Sequence, residues 1–286
     1  MSTRPSMRGL ATSWHPFASA LLDRSQRARN RLGRSDRARF TTRLQWDAMP
    51  YPHYAYGLLQ AALQARGLRI PEIAAIEFGV AGGSGLVALE GHADEVEALT
   101  GVRVRIFGFD TRAGLPRAAD HRDLPYVWKP GYFTMDVAAL RARLRRSELM
   151  LGDVRETVPA FLERADTPPI GYVSFDLDYY TSTVAALQVL KGDDDTRIPR
   201  VFCHFDDIIG TEAELHSRFA GELLAVDEFN EAHDDRKLAP INGLRHKRRL
   251  YRAWNDQLFV LHDFAHRAYD EHLGPERWEL ALDDPV

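Results

Sequence analysis

From Tyr51 onward the apolar positions fall into two repeating textures. Short unbroken runs read as strands covered on both faces, and stripes at helical spacing read as helices. Tyr54 to Leu68 is the first helix, carried by Leu58, Leu59, Ala62 and Leu63 and stopped near Gly67 with Pro71 beyond. Ile73 to Ile76 is the first strand; it delivers Glu77 to a glycine turn of Gly79, Gly82, Gly83 and Gly85. Leu86, Leu89, Ala93 and Val96 mark the helix that follows, and Val102 to Phe109 is a second strand ending at Asp110. The alternation continues through a helix at Met135 to Arg146, a strand Leu149 to Leu151 ending at Gly152 and Asp153, and a helical crossover around Pro159 to Glu163. Ile170 to Phe175 ends in Asp176-Leu177-Asp178, Ser182 is placed to cap a helix Val184 to Leu190, and Arg200 to Phe205 ends in Asp206-Asp207. Leu215, Phe219, Leu223 and Val226 then mark one helix face, and Leu258 to Phe264 reads as a last strand after a solvated basic run, His246 to Arg252. This alternation predicts an α/β fold: a Rossmann-like, doubly wound, mostly parallel sheet. The expected organisation is a basic extension over 1–50 and one domain over 51–286 with a carboxy-terminal extension.

A length of 286 residues suits one large domain with extensions. The net charge of −4 and pI near 6.3 lack the basic footprint of a nucleic-acid binder. No apolar run approaches the roughly 20 residues of a membrane-spanning helix, so no integral membrane segment is expected. The single Cys203 precludes an internal disulfide and points to a reducing, cytoplasmic setting. Self-association into a homo-oligomer stays open. The amino terminus departs from this average, with Arg24, Arg27, Arg29, Arg31, Arg34, Arg37, Arg39 and Arg43 facing only Asp23 and Asp36. A plain extension, a surface for anionic lipid or polymer, and an organellar targeting peptide are the three readings of that segment.

Five successive strands end on acids: Glu77, Asp110, Asp153, Asp176 with Asp178, and Asp206 with Asp207. In an open parallel sheet those ends lie along one edge, which is where ligands bind. An acid at the end of the second strand, Asp110, is placed to accept hydrogen bonds from ribose hydroxyls. The run from Gly83 through Ser84 and Gly85 to Ala88 fits a dinucleotide fingerprint loosely, yet an acid such as Glu77 is poor company for a pyrophosphate. Glu77 suits a cationic or hydroxyl-rich ligand, and S-adenosylmethionine carries a sulfonium and an ammonium with no phosphate.

Glu77-Phe-Gly79-Val-Ala-Gly82-Gly83, Gly108-Phe-Asp110-Thr-Arg-Ala-Gly114-Leu-Pro116, Gly152-Asp153-Val154 with Thr157 and Pro159, Asp176-Leu-Asp178-Tyr-Tyr180-Thr-Ser182-Thr183, and Asp206-Asp207 occur in this order. Together they resemble class I S-adenosylmethionine-dependent methyltransferases, and within that fold the macrocin O-methyltransferase family, over roughly Tyr54 to Gly210. The resemblance implies that Glu77, Gly79, Gly83, Ser84, Asp110 and Asp153 contact S-adenosylmethionine, with Asp153 near the adenine. It implies further that Asp176, Asp206 and Asp207 hold Mg2+ beside an acceptor hydroxyl, oxygen ligands that suit this hard cation. Asp176 is the nearest candidate for a general base. The implied activity is O-methylation of a sugar or glycosylated natural product.

Two departures from the family pattern stand out. His204 occupies a position commonly small or apolar, and the tyrosine expected after the acid pair is absent. His204 alternates onto the strand face of Asp206 and is either a second catalytic base or a packing residue. Trp46, Tyr51, His53, Tyr54 and Tyr56 form either a lid over the cofactor or an aromatic staple of the entering helix. His262 and His266 have helical metal-ligand spacing in a segment that reads as extended, which argues against zinc. The loop Arg112 to Tyr132 and the segment after Asp207 are expected to wall the acceptor. Tyr126, Trp128 and Tyr132 are suited to stack on a sugar, and Arg112, Arg117 and Arg122 to meet an anionic acceptor. The competing readings are a metal-dependent glycosyltransferase using Asp176-Leu177-Asp178, and a non-catalytic binding module in which Asp206 and Asp207 only cap a helix.

Overall fold

The computed structural model describes residues 39–274. The chain divides into two compact units, Met1–Met49 and Pro50–Val286. Of the first unit the described part holds one short helix, α1 (Phe40–Gln45). Arg24 to Arg37, which carry most of the basic amino-terminal segment, lie outside the described residues.

The second unit opens with α2 (Pro52–Gly67), whose first position is a proline with its φ already set for a helix. There follow β1 (Glu72–Phe78), α3 (Ser84–Thr100), β2 (Arg103–Asp110), α4 (Val137–Arg143), β3 (Glu148–Leu151), α5 (Val154–Leu162) and β4 (Ile170–Phe175). The chain continues through α6 (Tyr180–Ala186), β5 (Arg197–Phe205), α7 (Gly221–Ala232), β6 (Arg236–Pro240), α8 (Leu244–Lys247), α9 (Trp254–Gln257) and β7 (Leu258–Asp263). The strands form one sheet in the order β3-β2-β1-β4-β5-β7-β6. The first five are parallel, and β7 runs antiparallel to both β5 and β6. The fold is therefore α/β, with a mostly parallel sheet whose order reverses between β1 and β4.

Strand register sorts the core into two rows. Phe109, Phe78, Phe175 and Phe205 are registered neighbours across β2, β1, β4 and β5. Their rings lie 4.7, 5.5 and 4.7 Å apart in that order, and each such pair adds about 1 kcal/mol beyond the area it buries. One residue earlier, on the opposite face, the registered row is Gly108, Glu77, Ser174 and His204. Tyr54 of α2 packs against this polar row, whereas Phe161 of α5 packs against Phe109.

Several expected boundaries differ. Ser182 lies inside the first turn of α6, which starts two residues earlier and passes into a 3-10 turn at Leu187–Lys191. Its N-cap residue, Tyr179, makes no side-chain cap; Thr181 is held by the buried Asp123 instead. Leu215 and Phe219 precede α7 and are 68% and 81% exposed, so their helical spacing marks no buried face. The helix expected over Met135 to Arg146 shortens to α4 because the Asp136 side chain caps it and Leu144 is extended. Strand β6 was not anticipated, and the basic run begins inside α8, with Arg248 lying over the Trp254 ring.

Candidate active site

The backbone ladder of the parallel strands extends one step past their ends. Gly79 donates to the Phe109 carbonyl at 2.9 Å, Asp176 to Phe78 at 3.0 Å and Asp206 to Phe175 at 3.0 Å. These bonds place the residues after β1, β4 and β5 in one register at the sheet edge. Over that edge lies a cavity of about 600 Å³. Gly79, Asp110, Asp153, Asp176, Asp178, Asp206, Asp207 and Glu214 line it together with Leu115, Pro116, Trp128, Phe133, Leu177, Ile209 and His216.

The glycines of the first turn are needed mainly for packing within the protein. A Cβ on Gly79, whose φ is +83°, would stand 1.7 Å from the Asp176 carbonyl oxygen. On Gly85 it would stand 2.1 Å from Glu77 Oε1, so this glycine makes room for the glutamate. Gly83 takes φ +74° as the N-cap of α3 and faces Leu140; it does not line the cavity, nor does Ser84. Asp110 binds the same turn from below. Its Oδ2 accepts Val80 N–H at 3.0 Å and Ala81 N–H at 2.8 Å, and its Oδ1 accepts Arg112 N–H. Three of its four or so lone-pair sites are thus engaged, and the one left for a further donor is on Oδ1. Asp153 caps α5 by accepting Arg155 N–H at 2.9 Å, and hydrogen bonds from Arg155 hold its carboxyl below the usual range.

Glu77 turns away from the cavity. Being one residue short of the end of β1, it points to the α2 face, where Oε1 accepts the Tyr54 hydroxyl at 2.9 Å and Oε2 has no partner. Burial pushes its pKa up to about 8. His204 shares that enclosed row. It stacks on His53 at 4.2 Å, its Nδ1 lies 3.1 Å from Ser174 Oγ, and its Nε2 is 3.8 Å from Asp206 Oδ1. Burial, with His53 beside it, lowers its pKa well below the ordinary histidine value, so the ring is neutral. It does not reach the cavity wall. Tyr54 and His53 thus staple α2 to the sheet, and Tyr56 packs near Trp254. Trp46 belongs to the first unit.

The three carboxylates expected to hold a metal do converge. Asp176, Asp206 and Asp207 each offer one oxygen within 4.8 Å of the others. Burial raises all three pKa values, Asp176 and Asp207 most strongly; neighbouring aspartates add to the rise at those two, and Glu214 adds to it at Asp206. Crowded acids of this kind favour either protons or a hard cation, and an all-oxygen donor set fits Mg2+. Asp178 is outside this group: its φ is +59°, and its N–H donates to Asp207 Oδ2 at 2.8 Å. Burial, with Asp206 and Glu214 nearby, pushes its pKa up to about 7.

Both anticipated walls reach the cavity, with different residues from those expected. Trp128 lines it, but Tyr126 instead donates its hydroxyl to the Glu214 carbonyl at 2.6 Å, tying the two loops together, and Phe133 takes the place of Tyr132. Arg112 and Arg117 are exposed outside the lining, while Arg122 is paired with Asp120 at 2.8 Å and lies over the Tyr180 ring. Among the described residues no lysine or arginine lines the cavity, so the expected cationic wall for an anionic acceptor is missing. Glu214, His216 and the fully buried Glu222 were not anticipated; no local pattern separates them from ordinary loop and helix-start residues.

No family model and no curated protein matches the chain. Among solved structures the fold is similar to the calicheamicin methyltransferase CalS11, with 22% identity over 92% of this chain and 100% of that one, at a TM-score of 0.51. It is also similar to the O-methyltransferase NovP, with 16% identity over 74% of this chain and 79% of that one, at a TM-score of 0.50. These likenesses are of fold: a Rossmann-like sheet of the methyltransferase type.

Proposed function

We propose that the chain is an S-adenosylmethionine-dependent O-methyltransferase of the macrocin type, acting with Mg2+ on a hydroxyl of a sugar or glycosylated natural product. The observation that carries this reading is the single cavity joining Gly79, Asp110 and Asp153 to the acid triad Asp176, Asp206 and Asp207. One half suits an adenosine and its methionine tail; the other suits a metal-assisted acceptor. The fold neighbours support the reaction class, because they are a methyltransferase of calicheamicin and an O-methyltransferase.

Asp110 would accept a ribose hydroxyl on the remaining lone pair of Oδ1, Asp153 would lie beside the adenine, and the backbone at Gly79 would pass close to the ligand. Leu115, Pro116, Trp128 and Phe133 would exclude water from the methyl group and give a flat face for a saccharide ring. The acid-lined cavity favours a neutral hydroxylated acceptor over an anionic one. A divalent cation held by Asp176, Asp206 and Asp207 would supply Lewis acidity beside the acceptor hydroxyl. Transfer forms the oxygen to carbon bond as the carbon to sulfur bond breaks, and the hydroxyl proton passes to a carboxylate, a role we assign to Asp176. The neutral, enclosed His204 is not assigned this role. Of the Asp176-Leu177-Asp178 motif only Asp176 joins the metal-capable group, which disfavours a glycosyltransferase.

The test is calorimetry of S-adenosylhomocysteine and of nicotinamide dinucleotide with the wild type and Asp207→Asn. S-adenosylhomocysteine alone should bind, with equal affinity for both proteins, and Asp207→Asn should lose magnesium-dependent methylation of a glycoside panel. Binding of the dinucleotide alone, or full activity in excess chelator, would refute the corresponding part of the reading.

A further inference from the structure

Glu222 stands in the first turn of α7 and is fully buried. A carboxyl in the first turn of a helix is ordinary on the surface, where it meets the positive end of the helix dipole. This one faces inward. Its Oε2 accepts the N–H of Asp207 at 3.0 Å, and its Oε1 has no partner. Asp207 Oδ2 in turn accepts the N–H of Asp178 at 2.8 Å, which leaves Oδ1 unengaged by that bond. A chain of two hydrogen bonds therefore runs from α7 to the exit of β5 and on to the turn after β4, and it passes through Asp207. The left-handed Gly221, at φ +63°, directly precedes Glu222 at the start of the helix.

We propose that Glu222 is a positioning residue for the metal-capable acids: by holding the backbone of Asp207 it aims that carboxylate at Asp176 and Asp206. This inference rests on the proposed metal reading of the triad, but its physical content is the bond to Asp207. What matters is an acceptor at Oε2, so an amide serves as well as an acid. Glu222→Gln keeps a carbonyl oxygen there and has the shape of the carboxyl. Glu222→Ala removes the acceptor and leaves a buried N–H unsatisfied. Partners of metal ligands commonly alter metal affinity by about 10 to 100-fold when removed.

The experiment measures binding of Mn2+ and Mg2+ by calorimetry to the full chain as wild type, Glu222→Ala and Glu222→Gln. S-adenosylhomocysteine affinity and amide hydrogen exchange over residues 205–208 are measured on the same proteins. Expected are at least a tenfold loss of cation affinity in Glu222→Ala, restoration in Glu222→Gln, and S-adenosylhomocysteine affinity unchanged in both. Wild-type cation affinity in Glu222→Ala would overturn the proposal, as would a Glu222→Gln variant as impaired as Glu222→Ala. If the wild type binds no divalent cation, the metal reading itself fails, and Glu222 is judged on exchange. Faster exchange in Glu222→Ala that Glu222→Gln reverses supports the latch, and unchanged exchange overturns it.

Discussion

Replacing Glu77 by glutamine separates two roles for this residue, a ligand of the cofactor and a neutral acid of the sheet. Burial raises its pKa from 4.5 to about 8; the Tyr54 hydrogen bond opposes the rise and the Asp110 charge adds to it. The folded protein thus keeps a proton that the unfolded chain releases. The stabilisation from that proton is complete below pH 4.5 and is lost as the pH climbs through about 8. At about 1.4 kcal/mol per pH step, the loss over the whole window is on the order of 4 to 5 kcal/mol for this enclosed group. Glutamine offers the same carbonyl to the Tyr54 hydroxyl, has no proton to lose, and fits beside Gly85 because its volume matches. Urea unfolding of both proteins at several pH values between 5 and 8 yields the two slopes, and their difference isolates Glu77 from Asp178 and the other acids. The variant should be several kcal/mol less sensitive to pH and gain on the wild type toward pH 8, with S-adenosylhomocysteine affinity unchanged. Superimposable pH profiles would show that the carboxyl is already ionised in the fold. A large loss of S-adenosylhomocysteine affinity would show that it contacts ligand, and either result refutes the buried-acid argument.

Asp110→Ala removes the acceptor for three backbone N–H groups, so it should destabilise the ligand-free protein by about 3 kcal/mol and lower Tm by about 6 to 12 °C. It should also weaken S-adenosylhomocysteine binding; an unchanged ligand-free Tm would mean that the carboxylate does not hold the glycine turn. Trp128→Ala should raise the acceptor KM severalfold and leave S-adenosylhomocysteine affinity intact, because the ring lines the cavity beside Phe133. A lower Tm with the KM unmoved would make Trp128 only a pin for its loop.

The strands were legible because each is an apolar run too short for a helix and bounded by turn residues, as in Ile170 to Phe175. Strand β6 was hidden because an edge strand pairs on one side only and needs no such run: Arg236–Pro240 buries Leu238 and ends on a proline. Leu215 and Phe219 misled because their spacing is a weak signal that local bonds override. Thr211 N–H bonds the Glu214 side chain and Tyr126 bonds the Glu214 carbonyl, so the segment becomes a cavity wall before α7 can start. Glu222 was illegible for a different reason. Its neighbour Asp207 is fifteen positions away, and only the packing of α7 under the exit of β5 brings them together.

The acids at the strand ends share one parity and divide by depth along the strand. Glu77 is registered with Gly108, Ser174 and His204, and Asp110, Asp176 and Asp206 lie two residues further on, so what separates them is whether the strand has ended and not which face they start from. Asp110 closes β2, while Asp176 and Asp206 stand one residue beyond β4 and β5; all three line the cavity. Glu77 is followed by Phe78, which takes the last place in β1 and joins the phenylalanine row. The glutamate is thereby sent to the α2 face with Ser174 and His204, which likewise precede the last phenylalanine of their strands. His204 and Asp206 do share a parity, yet the strand ends between them, so one is enclosed beneath α2 while the other reaches the crevice. The same two-residue step that raised the choice between a catalytic base and a packing residue therefore places that histidine behind the site, stacked on His53 and outside the cavity lining.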